Sequence, residues 1–150
     1  MSMRCCAYLC TLALLAPALA TGQTAPVAGR IKVSTGATSI VRGGQAGTAV
    51  PGAAIVEGDI LRTGTDGRLS AMLKDESRVS LGPNSELVLT RFVYAPSDTE
   101  LGLGLRLARG VLSYVSGLIA KLAPEAVRLQ TPTAIIGVRG THVLVRADAP

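Results

Sequence analysis

The residues with the clearest chemical potential lie near the C-terminus, in the segment TPTAIIGVRGTHVLV from Thr131 to Val145. It contains the chain's single histidine, His142, and an arginine, Arg139, between Gly137 and Gly140. A histidine can serve as a general base or a metal ligand. A guanidinium between two small residues can lie flat against carbonyls or a carboxylate. The segment is therefore a candidate active site, binding site or corner of the fold.

Catalysis by His142 finds little support elsewhere in the sequence. A Ser-His-Asp triad needs a serine on a strained turn such as G-x-S-x-G, and the chain has no such motif. Alternation in the strand-like run puts His142 opposite Val143 and Val145, so its side chain points outward or into a pocket. We expect a protein that is not an enzyme, with His142 as a surface or hydrogen-bonded residue. Catalysis would require a serine or carboxylate beside it in a pocket.

Metal and cofactor chemistry is not expected either. Carboxylates occur singly or in close pairs such as Asp75-Glu76 and Glu57-Gly58-Asp59, which match no ligand spacing. Gly102-Leu103-Gly104 lacks the third glycine of a dinucleotide-binding fingerprint. We therefore predict no cofactor and no metal.

Arg139 fits two roles. It could brace the fold by hydrogen bonding to carbonyls at a strand end, or it could be an exposed anchor for an acidic ligand or partner. The apolar sequence around it favours the brace, because buried arginines persist only when they are paired. In the second role, Arg139, Thr141 and His142 would form a binding site.

The first twenty residues have the features of a secretory signal peptide. Arg4 precedes an apolar run, which ends at the small-residue pattern Ala18-Leu19-Ala20. All three cysteines lie within this segment, so cleavage after Ala20 would leave a chain without disulfides or a lipid anchor. The run is too short for a stable membrane span. We predict a signal peptide over residues 1–20 and a flexible leader over residues 21–29.

Composition argues against nucleic-acid binding and offers few aromatic residues for binding sugars. Cleavage removes only Arg4 from the 15 Lys and Arg residues, which leaves 14 against 10 Asp and Glu, a net charge of +4. These charges are scattered and never form a run, which is typical of a solvated surface. Stacking platforms need aromatic residues. Beyond the signal peptide the chain has only Phe92, Tyr94 and Tyr114.

Hydrophobic residues recur with a period of two, which predicts β-strands. Leu101, Leu103, Leu105 and Leu107 share one side of the segment LGLGLRLARG, and Val111, Ser113 and Val115 extend the pattern past Gly110. The one helical candidate is the segment from Gly117 to Glu125. We predict an all-β domain over residues 30–150, a compact solenoid-like or sandwich domain of short strands.

Two turn motifs separate these strands. Thr65-Asp66-Gly67 predicts a tight hairpin turn with Gly67 at a position of positive φ. Gly82-Pro83-Asn84-Ser85 predicts a turn in which Pro83 fixes φ and Asn84 is left-handed.

Five sequence blocks resemble the FecR domain family, named after the periplasmic domain of the iron-dicitrate sensor FecR. They are VEGDILRTG (Val56–Gly64), DGRLSAML (Asp66–Leu73), RVSLGPNSEL (Arg78–Leu87), LARG (Leu107–Gly110) and TPTAIIGVRGT (Thr131–Thr141). The resemblance implies that the turn and signature positions within them are structural: Gly58, Asp59, Gly64, Gly67, Pro83, Asn84, Ser85, Pro132, Gly137 and Gly140.

The resemblance implies a small all-β periplasmic domain of a Gram-negative bacterium without catalytic activity. In the full-length regulators this domain follows a cytoplasmic segment and a membrane helix, and relays a signal from an outer-membrane transporter to a sigma factor. We expect a protein that acts by protein or ligand contact in envelope sensing, signalling or assembly. The alternative is a cell-wall or polysaccharide-binding structural module with a stacking surface from Phe92, Tyr94 or Tyr114.

Three departures from the family pattern qualify these expectations. A signal peptide stands where the cytoplasmic segment and membrane helix belong, so sigma-factor regulation does not carry over directly. Asp75-Glu76-Ser77 stands where the family often has Asp-Gly-Thr. The chain also stops at Pro150, where the family usually adds strands. Either the sequence is a fragment, or a sheet edge near Val143 to Arg146 is open to an envelope partner strand or a second copy.

Overall fold

The structure, a computed structural model, describes residues 24–149, so the predicted signal peptide lies outside the described residues. The prediction of an all-β fold is confirmed. Twelve strands account for most of the described chain: β1 (Val27–Thr35), β2 (Thr38–Arg42), β3 (Gln45–Thr48), β4 (Ala54–Val56), β5 (Ile60–Thr63), β6 (Arg68–Leu73), β7 (Arg78–Leu81), β8 (Glu86–Ala95), β9 (Glu100–Val115), β10 (Val127–Gln130), β11 (Ile135–Gly137) and β12 (His142–Ala147).

One short α-helix, α1 (Leu118–Leu122), lies within the segment predicted to be helical, and a 3₁₀ turn follows it at Pro124–Ala126. No helix among residues 24–149 is both long enough and apolar enough to cross a membrane. The sheet begins earlier than expected. Residues 27–29 of the predicted leader belong to β1, because Ala28 is buried in the core and Gly29 pairs with both Ile55 and Leu73.

The longest strand, β9, organises the sheet by pairing with two consecutive strands along one edge. Its C-terminal half pairs with β7, from Arg78↔Val115 to Leu81↔Leu112. Its N-terminal half then pairs with β8, ending at Ala95↔Glu100. Strands β7 and β8 are thus two segments of one ribbon that is antiparallel to β9 and bends between them.

The same construction recurs in the first half of the domain. Strands β1 and β2 follow each other as one bent ribbon, and β6 and β5 pair along it in antiparallel fashion. The pairing passes from Thr38↔Thr63 to Thr35↔Arg68 across the bend. In both ribbons, the two paired chains therefore bend at the same place.

These bends line up into what we call the crease, formed by residues 36–37, 63–67, 82–85 and 110–111. Hydrogen bonds join its segments: Gly64 N donates to the Ala37 oxygen at 2.8 Å and Asn84 N to the Gly64 oxygen at 2.9 Å. Ser85 is buried and its Oγ accepts from Val111 N at 2.9 Å. The sheet folds in half along this line.

Folding along the crease produces two layers. Layer A contains β1, β4, β6, β7, β12 and the C-terminal half of β9. Layer B contains β2, β3, β5, β8, the N-terminal half of β9, β10 and β11. A single hydrophobic core lies between them, and Leu69, Leu105 and Leu112 are among its fully buried side chains. Of the two predicted architectures, this curled sheet corresponds to the sandwich.

The expectation that Val111, Ser113 and Val115 continue the leucine face of β9 is wrong. Leu107 is buried before the crease, but Leu112 and Tyr114 are buried after it. The pairing explains the change, since Glu86↔Arg109 and Leu87↔Leu107 leave Ala108 as an extra residue. One extra residue in a strand moves every later side chain to the opposite face.

The predicted hairpin at Thr65-Asp66-Gly67 is also wrong. Strands β5 and β6 lie in different layers, so this segment joins the layers instead of closing a hairpin. Gly67 does not have a positive φ; glycine is required because a Cβ there would collide with the oxygen of Ala37. The second turn prediction is confirmed at Asn84, which has φ of 52°.

The turn between β6 and β7 has Glu76 at the position where the resemblance to the FecR family led us to expect glycine. Glu76 has φ of 67°, a left-handed conformation. Beneath it, Asp75 and Ser77 are fully buried, and Ser77 Oγ donates to Asp75 Oδ2 at 2.6 Å. The same Oγ accepts from Gly117 N at 3.1 Å and lies 3.2 Å from the Tyr114 hydroxyl, which must therefore donate to it. These hydrogen bonds fix the hairpin tip to the end of β9.

Burial raises the pKa of Tyr114, and the negative charge of Asp75 adds to this effect. Because the pKa of Tyr114 is higher in the folded than in the unfolded state, its neutral hydroxyl contributes to folding stability. This contribution is fully present below the ordinary tyrosine pKa of about 10, and it is lost as the pH rises through the folded-state pKa. We expect Tyr114→Phe to cost about 1 kcal/mol at neutral pH, because Ser77 loses a donor, and to weaken the loss of stability above about pH 10. Urea unfolding of wild type and Tyr114→Phe between neutral and alkaline pH would check this, with Tyr94→Phe as the control. If the free energy of unfolding fell with pH above about 10 as steeply in Tyr114→Phe as in wild type, the result would contradict the prediction.

Candidate interaction surface at the C-terminal corner

The segment Thr131 to Val145 is a corner where the chain passes from layer B to layer A. Strand β10 pairs in parallel with the N-terminal half of β9, and β11 pairs with β10. Strand β12 then pairs with the C-terminal half of β9. Between β11 and β12, Val138 is buried in the core. The segment therefore carries a structural role whatever else it does.

Glycine and serine residues set the shape of this corner. Gly140 has φ of 131°, in the region that favours glycine. Its oxygen accepts from Ser116 Oγ at 2.6 Å, and the Thr141 oxygen accepts from Ser116 N at 2.9 Å. Pro132 lies in the exposed turn between β10 and β11, which is closed by Thr131 N donating to the Ala134 oxygen at 2.8 Å.

Arg139 does not act as the favoured internal brace. Its side chain is exposed, and it forms no hydrogen bond or ion pair with any residue of the described part of the chain. The apolar sequence around it had suggested burial. In the structure Val138 takes the buried position, and Arg139, the next residue along the chain, points away from the core.

Arg139 instead lines a cleft of about 320 Å³ beside the β10–β11 hairpin. Its other lining residues are Pro124, Glu125, Val127, Arg128, Ile135, Ile136, Gly137 and Val138. Ile135 is 70 % exposed, and a Cβ on Gly137 would meet nothing within 4 Å. We call this the corner cleft. It presents apolar side chains beside two arginines and one glutamate, a composition suited to a partner polypeptide.

His142 and Thr141 do not line the corner cleft. Both are exposed, and His142 Nε2 lies 2.8 Å from Ser113 Oγ. The expectation of a surface or hydrogen-bonded histidine is confirmed. The serine and histidine form an exposed pair on the surface of layer A, and within residues 24–149 no carboxylate hydrogen-bonds to the histidine to orient it. Among the described residues, the pair is thus without the hydrogen-bonded third group that orients the base of a catalytic triad.

Strand β12 lies at a sheet edge. It pairs with β9 on one side, and none of the described strands pairs with its other side. Val145 is buried beneath it, whereas Leu144 is 70 % exposed. Unpaired backbone groups beside an exposed leucine can accept another strand.

The signature residue Asp59 has a structural role, through a partner that the sequence did not reveal. Gly58 turns the chain with φ of 91° and places the fully buried Asp59 against Arg42 on β2. Arg42 Nε and Nη2 donate to the two carboxylate oxygens at 2.7 Å each, and Val56 N donates to Oδ2 at 2.9 Å. This bidentate bond raises the pKa of Arg42. It joins β2 to the turn before β5.

Three further observations bear on the predicted chemistry. Within residues 24–149, no three His, Cys, Asp or Glu side chains are grouped to hold a metal ion. Tyr114 is fully buried, while Phe92 and Tyr94 pack partly buried against the core. The stacking surface that the polysaccharide alternative requires is therefore not formed by Tyr114.

The fold and the corner define an all-β module whose exposed features are suited to contact with another macromolecule. The sequence model of the FecR protein family matches residues 59–150. The chain therefore belongs to the FecR family. Comparison with curated proteins found no match, and comparison with solved structures found none either.

Proposed function

We propose that the protein is a non-enzymatic FecR-domain protein of the Gram-negative periplasm that acts by contact with an envelope protein in sensing, signalling or assembly. Membership of the FecR family supports an envelope-related role. The observation that carries the proposal is the position of Arg139: an exposed arginine, without a partner in the described part of the chain, that lines a cleft beside apolar side chains.

The corner cleft matches the chemistry of a protein partner. Ile135 offers an exposed apolar surface, and Arg139 and Arg128 offer planar donors that can bind a carboxylate in bidentate fashion. Arginine is enriched in protein interfaces, where its apolar stem packs and its fork binds. A partner segment with an apolar anchor and an acidic residue would satisfy both features.

The edge of β12 provides a second means of contact beside the cleft. A strand from an envelope partner or from a second copy could extend layer A by hydrogen bonding to the edge of β12. Such pairing supplies affinity through the backbone, and the exposed Leu144 would add side-chain contact.

Arg139→Ala should reduce the yield of co-purified envelope partner by about tenfold or more, the effect of removing a central interface arginine. The fold should be retained, because the exposed side chain makes no hydrogen bond to the described residues. Affinity co-purification of the tagged protein from the envelope, after mass spectrometry of the mature chain, would measure this.

Lys32→Ala is the matched control, since it removes an exposed cation from β1, which β6 and β7 separate from β9 in the sheet. Equal partner yields from wild type and a folded Arg139→Ala variant would contradict the proposed contact. A variant that unfolds would contradict the exposed position of Arg139, unpaired in the described part of the chain, on which the proposal rests.

A further inference from the structure

The outer face of layer A differs in charge from the rest of the surface. Side chains that point away from the core on β12, β9, β7, β6 and β1 form rows across the strands, as the pairing registers show. We call this surface the arginine face; its members are His142, Val115, Arg78, Met72, Arg30, Leu144, Ser113, Ser80, Ser70, Val33, Arg146, Val111, Arg68 and Thr35.

No member of the arginine face is acidic, and four are arginines that are all exposed. Arg146 contacts Asp148 at 3.3 Å, but this carboxylate is 86 % exposed and lies beyond the end of β12. Layer B is different, since on its outer surface Glu86 lies between Arg62 at 3.1 Å and Arg109 at 3.6 Å. The positive charge of the arginine face is thus left without balancing acids in its own rows.

A depression of about 290 Å³ lies in the middle of this face. Small side chains form its floor, where Ser70 and Ser80 hydrogen-bond at 3.0 Å and Ser113 continues the row on β9. Val33, which is 54 % exposed, and Pro83 stand at its sides, and Arg68 lines it as well. A depression with apolar side chains and Arg68 in its lining, on a face that carries three further arginines, can hold one inserted side chain amid acidic neighbours.

We infer that the arginine face binds an acidic polypeptide segment of a partner protein, with an apolar side chain of that segment in the serine-floored depression. Charge complementarity selects an acidic partner. The face has no aromatic member, so it lacks the stacking groups that sugar rings or bases use. The four arginines can bind carboxylates in bidentate fashion, and Lys32 and Lys74 add positive charge beside Arg30 and Met72. This surface is distinct from the corner cleft.

Fluorescence anisotropy with a labelled peptide of glutamates around a central leucine would test the inference on the whole mature protein. We expect saturable binding that weakens as salt is added, and about tenfold weaker binding for Arg78→Glu, because one positive charge of the arginine face is reversed. Arg106→Glu is the matched control, since Arg106 is also an exposed arginine, on the outer surface of layer B, and the change in net charge is identical.

Each outcome decides the matter. Loss of binding in a folded Arg78→Glu variant and retention in Arg106→Glu would support the arginine face, and Arg68→Glu should repeat the loss if Arg78→Glu fails to fold. Equal loss in both charge reversals would overturn it in favour of unspecific attraction. Absence of peptide binding would also overturn it, whether the protein then bound dextran sulfate, anionic lipid vesicles or neither.

Discussion

The Gly110→Ala variant should lose about 2 to 5 kcal/mol of folding free energy, since left-handed backbone costs about 1–2 kcal/mol and overpacking a further 1–3. Gly110 has φ of 94°, and it forms the crease opposite Ser85. A Cβ at this position would collide with Ser85 Oγ and lie 2.5 Å from its Cα. Ser85 cannot move aside, because it is buried and hydrogen-bonded to both Thr63 and Val111.

Gly137→Ala is the appropriate control for this effect. Gly137 is another glycine of the family blocks, yet its φ is not positive and a Cβ there would meet nothing within 4 Å. Chemical denaturation should therefore give a midpoint close to wild type for Gly137→Ala and a much lower one for Gly110→Ala. Similar midpoints for the two variants would contradict the role assigned to the crease.

Arg42→Ala should destabilise the protein by about 2–3 kcal/mol, near the lower end of the cost of removing one partner from a buried ion pair. The reason is the asymmetry of the pair: the Arg42 side chain is 53 % exposed, but that of Asp59 is fully buried. The variant leaves this carboxylate with Val56 N as its remaining hydrogen-bond donor in the described part of the chain. The link between β2 and the turn before β5 is lost as well.

Arg62→Ala removes an arginine from a comparable pair at the surface. Its partner Glu86 retains 21 % exposure and a second arginine, Arg109, at 3.6 Å. Exposed pairs contribute only about 0–1 kcal/mol. Urea unfolding should therefore separate the two arginine variants clearly, and a loss for Arg42→Ala no larger than that for Arg62→Ala would show that the buried carboxylate does not need its partner.

The strands were predictable from the sequence because each buries one face, which imposes a period of two. Leu69, Ala71 and Leu73 follow this rule and are buried in β6. The crease was not predictable from periodicity. It depends on the extra residue Ala108 and on contacts between segments far apart in the chain, such as Gly110 with Ser85. A two-residue alternation cannot show where both partners of a ribbon bend together.

The candidate site was located only in part. The sequence drew attention to Arg139, but it paired this residue with Thr141 and His142, and the structure places it with Arg128 and Ile135 instead. The outward direction of Arg128 could have been found, because it alternates with the buried Val127 and Leu129. Its proximity to Arg139 could not, since that follows from the pairing of β10 with β11. The same limit applies to Arg42 and Asp59, which are joined across strands.

Site-specific photo-crosslinking in living cells tests the central claim most directly. A photoreactive amino acid at Ile135, the exposed apolar residue of the corner cleft, should give a discrete adduct with an envelope protein. The same group at Gln45, an exposed residue on the edge strand β3, should not give that adduct. The same adduct from both positions, or none from Ile135 in a folded and exported protein, would contradict the proposal that the corner cleft is the contact surface.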